Sequence, residues 1–151
     1  MLNLYSFQQA REGDKAVIYT LYATVMKDYI TEIWGWNSEW QENDFNKHFI
    51  PCNITLVKEK KRVIGYSQIE EQESRIYLRM LLLLPEYQRQ GIGSYLLKAV
   101  IEKAQRQSKA IALQVFKLND KAIKFYWHHG FQVQGETEES FIMELLPHGT
   151  N

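Results

Sequence analysis

The segment from Ile76 to Phe116 constrains the fold more than any other part of the chain. It begins with a nearly continuous apolar run, "IYLRMLLLL", which Pro85 ends. A polar turn with two glycines follows, "PEYQRQGIG", and then Leu96, Leu97, Val100, Ile101 and Ala104 recur at helical spacing. Lys98, Glu102, Lys103 and Arg106 fall on the opposite face of that helix. A second apolar run, "AIALQVF", closes the segment. Apolar runs without alternation belong to strands covered on both faces. A strand over 76–84, a helix over 94–107 and a strand over 110–116 therefore form a βαβ unit, with parallel strands and a right-handed crossover.

Elsewhere the pattern is that of an antiparallel sheet with helices. "LNLYSFQQA" alternates at Leu2, Leu4 and Phe7, which predicts a short first strand. In "GDKAVIYTLYATVMKDYI", Val17, Ile18, Leu21, Tyr22, Val25 and Met26 line one helical face. Asp14 stands at the N-cap, and the pattern continues weakly to Ile33. "WGWNSEWQENDFNKHFIP" is aromatic and acidic and reads as irregular. "CNITLVKEK" and "KRVIGYSQIEE" read as two strands around a charged turn. Asn119 and Asp120 can cap a later helix, "DKAIKFYWHHG", which Gly130 ends. "FQVQGETEESFIMELL" reads as two strands with an acidic turn. The expected fold is α+β: one domain over residues 1–151, a mixed and mostly antiparallel sheet, a parallel βαβ unit at its centre and flanking helices.

Charge and composition narrow the function classes. Lys plus Arg and Asp plus Glu number 18 each, so no net charge draws the chain to nucleic acid or an anionic membrane. No apolar run reaches the ~20 residues of a membrane helix. The first residues lack the basic and apolar blocks of a signal peptide, so the cytoplasm is the expected compartment. The single cysteine, Cys52, has no intramolecular partner and is expected to be a small buried apolar group. His48, His128, His129 and His148 show no ligand spacing, and no metal is expected.

The glycine turn admits three readings. A dinucleotide fingerprint fails because its third glycine position is Leu96. A Walker loop fails because no Gly-Lys-Ser/Thr follows Gly91. The glycines could also serve packing alone. Against that stands their position, at the opening of a helix after a parallel strand. Successive N–H groups from Gln90 to Ser94 would converge there with the helix dipole, which suits a phosphate or pyrophosphate. Arg89 adds a fixed positive charge, and Ser94 a hydroxyl or a cap.

"LPEYQRQGIGSYLL" resembles motif A of the GNAT superfamily of N-acetyltransferases, [QR]-x-x-G-x-[GA], with Gln88, Gly91 and Gly93 in its defined positions. "NDKAIKFYWHHGF" is similar to that family's N-x-x-A-x-x-F-Y-x-x-x-G-F, through Asn119, Ala122, Phe125, Tyr126, Gly130 and Phe131. The detailed likeness covers residues 76–131, and the order of elements extends it over the chain. The resemblance implies acetyl-coenzyme A as co-substrate and no metal. It implies that the motif A amides hold the pyrophosphate, here those of Arg89, Gln90, Gly91, Ile92, Gly93 and Ser94, with Gln88 also among the cofactor-binding residues. It implies that Leu81, Leu82 and Leu83 pair their backbone with the pantetheine arm, with the Leu83 N–H facing the oxyanion. Asn119 would bind the pantetheine amide. Tyr126 would give a proton or a hydrogen bond to the departing thiolate; a core aromatic is the plainer alternative.

The general base is less legible. Some family members carry Glu at the position of Gln114, and Gln takes no proton; another family position corresponds to Tyr77. Glu70 is the first candidate, Glu32 the second and a water chain the third. Trp34, Trp36 and Trp40 occupy the family's variable acceptor segment, with Glu39, Glu42 and Asp44 nearby. They suit a wall for a cationic amine or a packing cluster. The expected acceptor is a primary amine of a small molecule or peptide, with no nucleic acid or membrane partner; a homodimer is a further option. A non-catalytic acyl-coenzyme A binding or sensing module is the competing reading.

Overall fold

In the computed structural model, which describes residues 4–147, seven strands form one sheet in the order β1-β2-β3-β4-β5-β7-β6. The strands are β1 (Tyr5–Gln9), β2 (Ile54–Glu59), β3 (Arg62–Glu71), β4 (Arg75–Leu83), β5 (Ala110–Phe116), β6 (Gln132–Glu136) and β7 (Ser140–Leu145). The helices are α1 (Lys15–Ile33), α2 (Ser38–His48), α3 (Ile92–Arg106) and α4 (Asp120–His128). The β4 and β5 pairing is parallel, as the two uninterrupted apolar runs require. Its register covers Arg75–Tyr77 against Ala110–Ala112. The pairings β1–β2, β2–β3, β5–β7 and β6–β7 are antiparallel. The expected mixed α+β sheet with a central βαβ unit is the observed one.

Contacts group the chain into two compact units. One is the chain up to Gln68 with Met80–Leu96; the other is Ile69–Arg79 with Leu97 onward. The first has a core built from Ile18 and Leu21 of α1, Leu56, Ile64 and Tyr66 of β2 and β3, and Leu82–Leu84 with Ile92. In the second, Ile76, Leu97, Ile111, Leu113, Phe131 and Met143 are almost fully buried. Removal of apolar side chains from water at about 25 cal/mol per Å² is the main stabilising term in both.

Four local expectations change. The segment read as irregular contains α2: Asn37 caps it, its side chain accepting from the Trp40 N–H at 2.9 Å. That helix buries only Gln41, so no apolar stripe announces it. Asp14 does stand at the N-cap of α1, but its side chain accepts from the Arg11 N–H at 2.8 Å instead of from the helix. Val17 and Leu4 are exposed, and Leu2 and His148 lie outside the described residues. Cys52 is exposed, not buried: it sits in a single 3-10 turn, Pro51–Asn53, between α2 and β2. Among the described residues no helix is long and apolar enough to cross a membrane. No group of three or more His, Cys, Asp or Glu among them could hold a metal ion.

Candidate active site

The end of β4 is set by its contact with β3. The Leu84 N–H donates to the Ile64 carbonyl at 2.9 Å. Backbone groups alternate sides along a strand, so the Leu83 N–H and C=O point away from β3. Gly65 makes this close approach possible. A Cβ on it would lie 2.6 Å from the Leu82 carbonyl oxygen and would overlap the Leu83 side chain. The Leu82 carbonyl and the Leu83 N–H belong to one trans peptide, so a carbonyl turned towards Gly65 aims that N–H the opposite way. Leu81 shares the outward orientation by alternation, while Leu82 faces β3. Of the three leucines expected to read a ligand through the backbone, two have suitably directed groups. Gln88 then fixes the Leu83 carbonyl, its Nε2 donating at 3.0 Å.

Beyond β4, Pro85–Tyr87 form one 3-10 turn and Gln88 is extended. Arg89 (φ 64°) and Gly91 (φ 86°) are both left-handed. The cost is small for Gly91 and appreciable for Arg89, which carries a Cβ. These turns bring the chain into α3 two residues earlier than expected, because Ile92 is fully buried and anchors the helix start. The first turn closes with the Tyr95 N–H donating to the Gly91 carbonyl at 3.0 Å. The amides of Ile92, Gly93 and Ser94 precede any carbonyl four residues back within the helix. They therefore form its positive end. A Cβ on Gly91 would meet nothing within 4 Å, so the space beside this glycine is open. Arg89 and Gln90 are exposed. Amides at the opening of a helix, with an exposed arginine shortly before them in the chain, suit a pyrophosphate. The turn and Leu81–Leu83 lie together in the first unit.

Asn119, Tyr126 and Glu70 lie in the second unit. Asn119 caps α4, its Oδ1 accepting from the Ala122 N–H at 3.2 Å. Tyr126 is buried between Phe125 and Phe131, with ring centroids at 5.3 and 5.6 Å. Burial pushes its phenol well above the ordinary tyrosine value. Glu70 is half-buried and pairs with Arg79 at 3.6 Å. Tyr77 is also shifted upward, chiefly by burial and further by the Glu70 charge, while Arg79 and Arg75 oppose. Gln114 is exposed on β5, opposite Ile142 of β7.

The expected acceptor residues belong to the first unit. Glu32 is exposed near the end of α1, and Trp34 and Trp40 are each 60% exposed. Trp36 is half-buried against Tyr22, with centroids 6.3 Å apart. The Lys27 ammonium lies 5.7 Å from the Trp36 ring centroid. The indole face therefore already holds a cation, the group expected of an acceptor. Sequence reasoning passed over Gly65, whose signal was legible: an isolated glycine inside a strand marks a close backbone approach.

Residues 17–131 match the acetyltransferase (GNAT) family. The spermine/spermidine N(1)-acetyltransferase of Bacillus subtilis (strain 168) is 32% identical over 71 residues. The probable spermine N(1)-acetyltransferase of Bacillus subtilis subsp. natto (strain BEST195) has the same identity over the same length. Each match covers 46% of this chain and 47% of the relative, so the likeness spans about half the length of these curated relatives. Among solved structures, the PaiA N-acetyltransferase of Thermoplasma acidophilum, in complex with coenzyme A, superposes with a TM-score of 0.77 at 19% identity. It covers 94% of this chain and 98% of that one, which shows a shared fold. With a family match over most of its length and both motifs on the elements expected of them, the chain belongs to the acetyltransferase (GNAT) family.

Proposed function

We propose that this protein is an acetyl-coenzyme A-dependent N-acetyltransferase acting on a primary amine of a small molecule or peptide. The observation that carries the reading is the turn 88–94: a helix opening beside unfilled space, next to a strand end whose Leu83 N–H is aimed away from its neighbour. Acetyl-coenzyme A would supply the thioester. The amides of Ile92–Ser94 and Arg89 would hold its pyrophosphate, and Leu81 and Leu83 would pair with the pantetheine arm.

The chemistry is direct transfer. A carbon–nitrogen bond forms as the carbon–sulfur bond breaks, and the amine loses a proton. The Leu83 N–H suits the oxyanion because its direction is set before reaction. A thiol has an ordinary pKa of about 8.5, and a phenol about 10 before any upward shift. Full proton transfer from Tyr126 would thus be uphill. Its burial favours hydrogen-bond donation to the departing thiolate. Glu70 is our candidate to pass the amine proton to water, with Glu32 second. The favoured acceptor is a cationic amine of the polyamine class, supported by the Bacillus relatives' names and by the exposed Glu32, Glu39 and Glu42.

One observation favours a non-catalytic acyl-coenzyme A module instead: Glu70 is tied to Arg79, and Gln114 cannot act as a base. Thiol release from acetyl-coenzyme A with a panel of polyamines and peptide amines separates the two. Amine-dependent release supports the transferase; donor binding without release supports the module.

A further inference from the structure

Three residues in one row across the sheet meet the donor turn. Tyr5 of β1 is the register partner of Glu59 of β2, and Glu59 is the partner of Arg62 of β3. A bulge near Val57 and Lys58 shifts the β2–β3 register and sets that last pairing. Each member of the row holds a different part of the segment 86–90. The Tyr87 hydroxyl donates to Glu59 Oε1 at 2.6 Å. The Tyr5 hydroxyl donates to Gln90 Oε1 at 2.9 Å, and the Tyr5 ring meets the Tyr87 ring edge-on at 6.2 Å. Arg62 lies 5.9 Å from the Tyr87 ring centroid and pairs with Glu86 at 3.8 Å. Gln90 closes the segment on itself, its Nε2 donating to the Glu86 carbonyl at 3.1 Å.

We infer that the row Tyr5, Glu59 and Arg62 is a positioning device for donor binding, and that the Tyr87–Glu59 hydrogen bond is its principal link. This rests on the donor reading of the turn. The need for such a device is local. Arg89 occupies a left-handed conformation that its Cβ disfavours, so the turn requires neighbours to keep it. Tyr87 lies two residues before Arg89 and Gln90 directly after it, and both are tied to the row. The Tyr87–Glu59 bond is charge-assisted and short, the stronger class of hydrogen bond. None of the three row residues needs to touch the ligand. They act by reducing the conformations the empty turn can visit, so that less ordering is lost on binding.

The test compares Tyr87→Phe, Glu59→Ala, Glu59→Gln and the double variant Tyr87→Phe/Glu59→Ala. Donor affinity is measured by calorimetry with acetyl-coenzyme A, and kcat and KM by thiol release. Tyr87→Phe keeps the ring, so packing on Tyr5 and Arg62 survives. It and Glu59→Ala should each weaken donor binding about five- to twentyfold with little change in kcat. Glu59→Gln retains an acceptor oxygen and should recover most of the affinity. The double variant should be no worse than the weaker single one. Unchanged donor affinity in both single variants, or losses that multiply in the double variant, would overturn the inference while leaving the donor site in place. Wild-type protein that binds no acetyl-coenzyme A would remove the donor reading itself.

Discussion

Gln88 donates from Nε2 to the Leu83 carbonyl at 3.0 Å, across the turn between β4 and α3. The other end of the same peptide is held as well, because the Leu84 N–H donates to Ile64 at 2.9 Å. The motif glutamine thus acts on the backbone that precedes the turn 88–94. Its expected consequence lies in the transition state. Gln88→Ala should lower kcat about three- to thirtyfold with a smaller change in donor KM. Gln88→Glu presents no donor when ionised and should behave like Ala. Single-turnover rates check this; a loss confined to donor KM would assign Gln88 to ligand contact instead.

Gly91→Val should weaken acetyl-coenzyme A binding more than tenfold. The protein itself offers no clash, since a Cβ there meets open space. The loss has two sources: a β-branched residue strained at φ 86° by roughly 1–3 kcal/mol, and a side chain placed in the space the ligand needs. Gly65→Ala is the contrasting case. Its Cβ would collide with backbone and side chain of the neighbouring strand. We expect it to lower stability by about 1–3 kcal/mol, read by denaturant unfolding.

The two glycines show what was legible. The helix that opens after β4 was readable because two glycines in a polar turn are followed by apolar residues at helical spacing. The central parallel pair was readable because apolar runs without alternation admit few placements. Helix α2 was not, since "SEWQENDFNKH" buries only Gln41 and shows no stripe; the available signal was Asn37 as a cap. Cys52 misled because residue type speaks to average burial, whereas its exposure follows from a one-turn connection. The row Tyr5, Glu59 and Arg62 depends on strand register and a bulge, which no local pattern specifies.

Tyr126→Phe should keep donor binding and lower turnover about tenfold to a thousandfold. The same variant carries a stability signature. A tyrosine whose folded pKa is raised contributes stability that is whole below the unfolded value, about 10, and is lost as pH rises through the folded value. Wild-type stability should therefore fall above about pH 10. Tyr126→Phe should fall less steeply, the remainder coming from Tyr19, Tyr77 and Tyr87, which are also raised. Denaturant midpoints on either side of that pH provide the comparison; parallel curves would contradict the assigned burial effect.

Trp36→Ala should raise the KM for the amine about three- to tenfold and leave that for acetyl-coenzyme A nearly unchanged. Lys27→Met removes the resident cation from the indole face and should lower the amine KM. If both substrates' constants move together in Trp36→Ala, the ring serves packing against Tyr22 and the acceptor binds elsewhere.

The most direct test of the central claim is amine-dependent release of free thiol from acetyl-coenzyme A, with the acetylated amine identified by mass spectrometry. The account predicts release that saturates in both substrates, favours polyamines, and is slowed in Tyr126→Phe. A folded chain that binds acetyl-coenzyme A yet releases no thiol with any amine of the panel would contradict it.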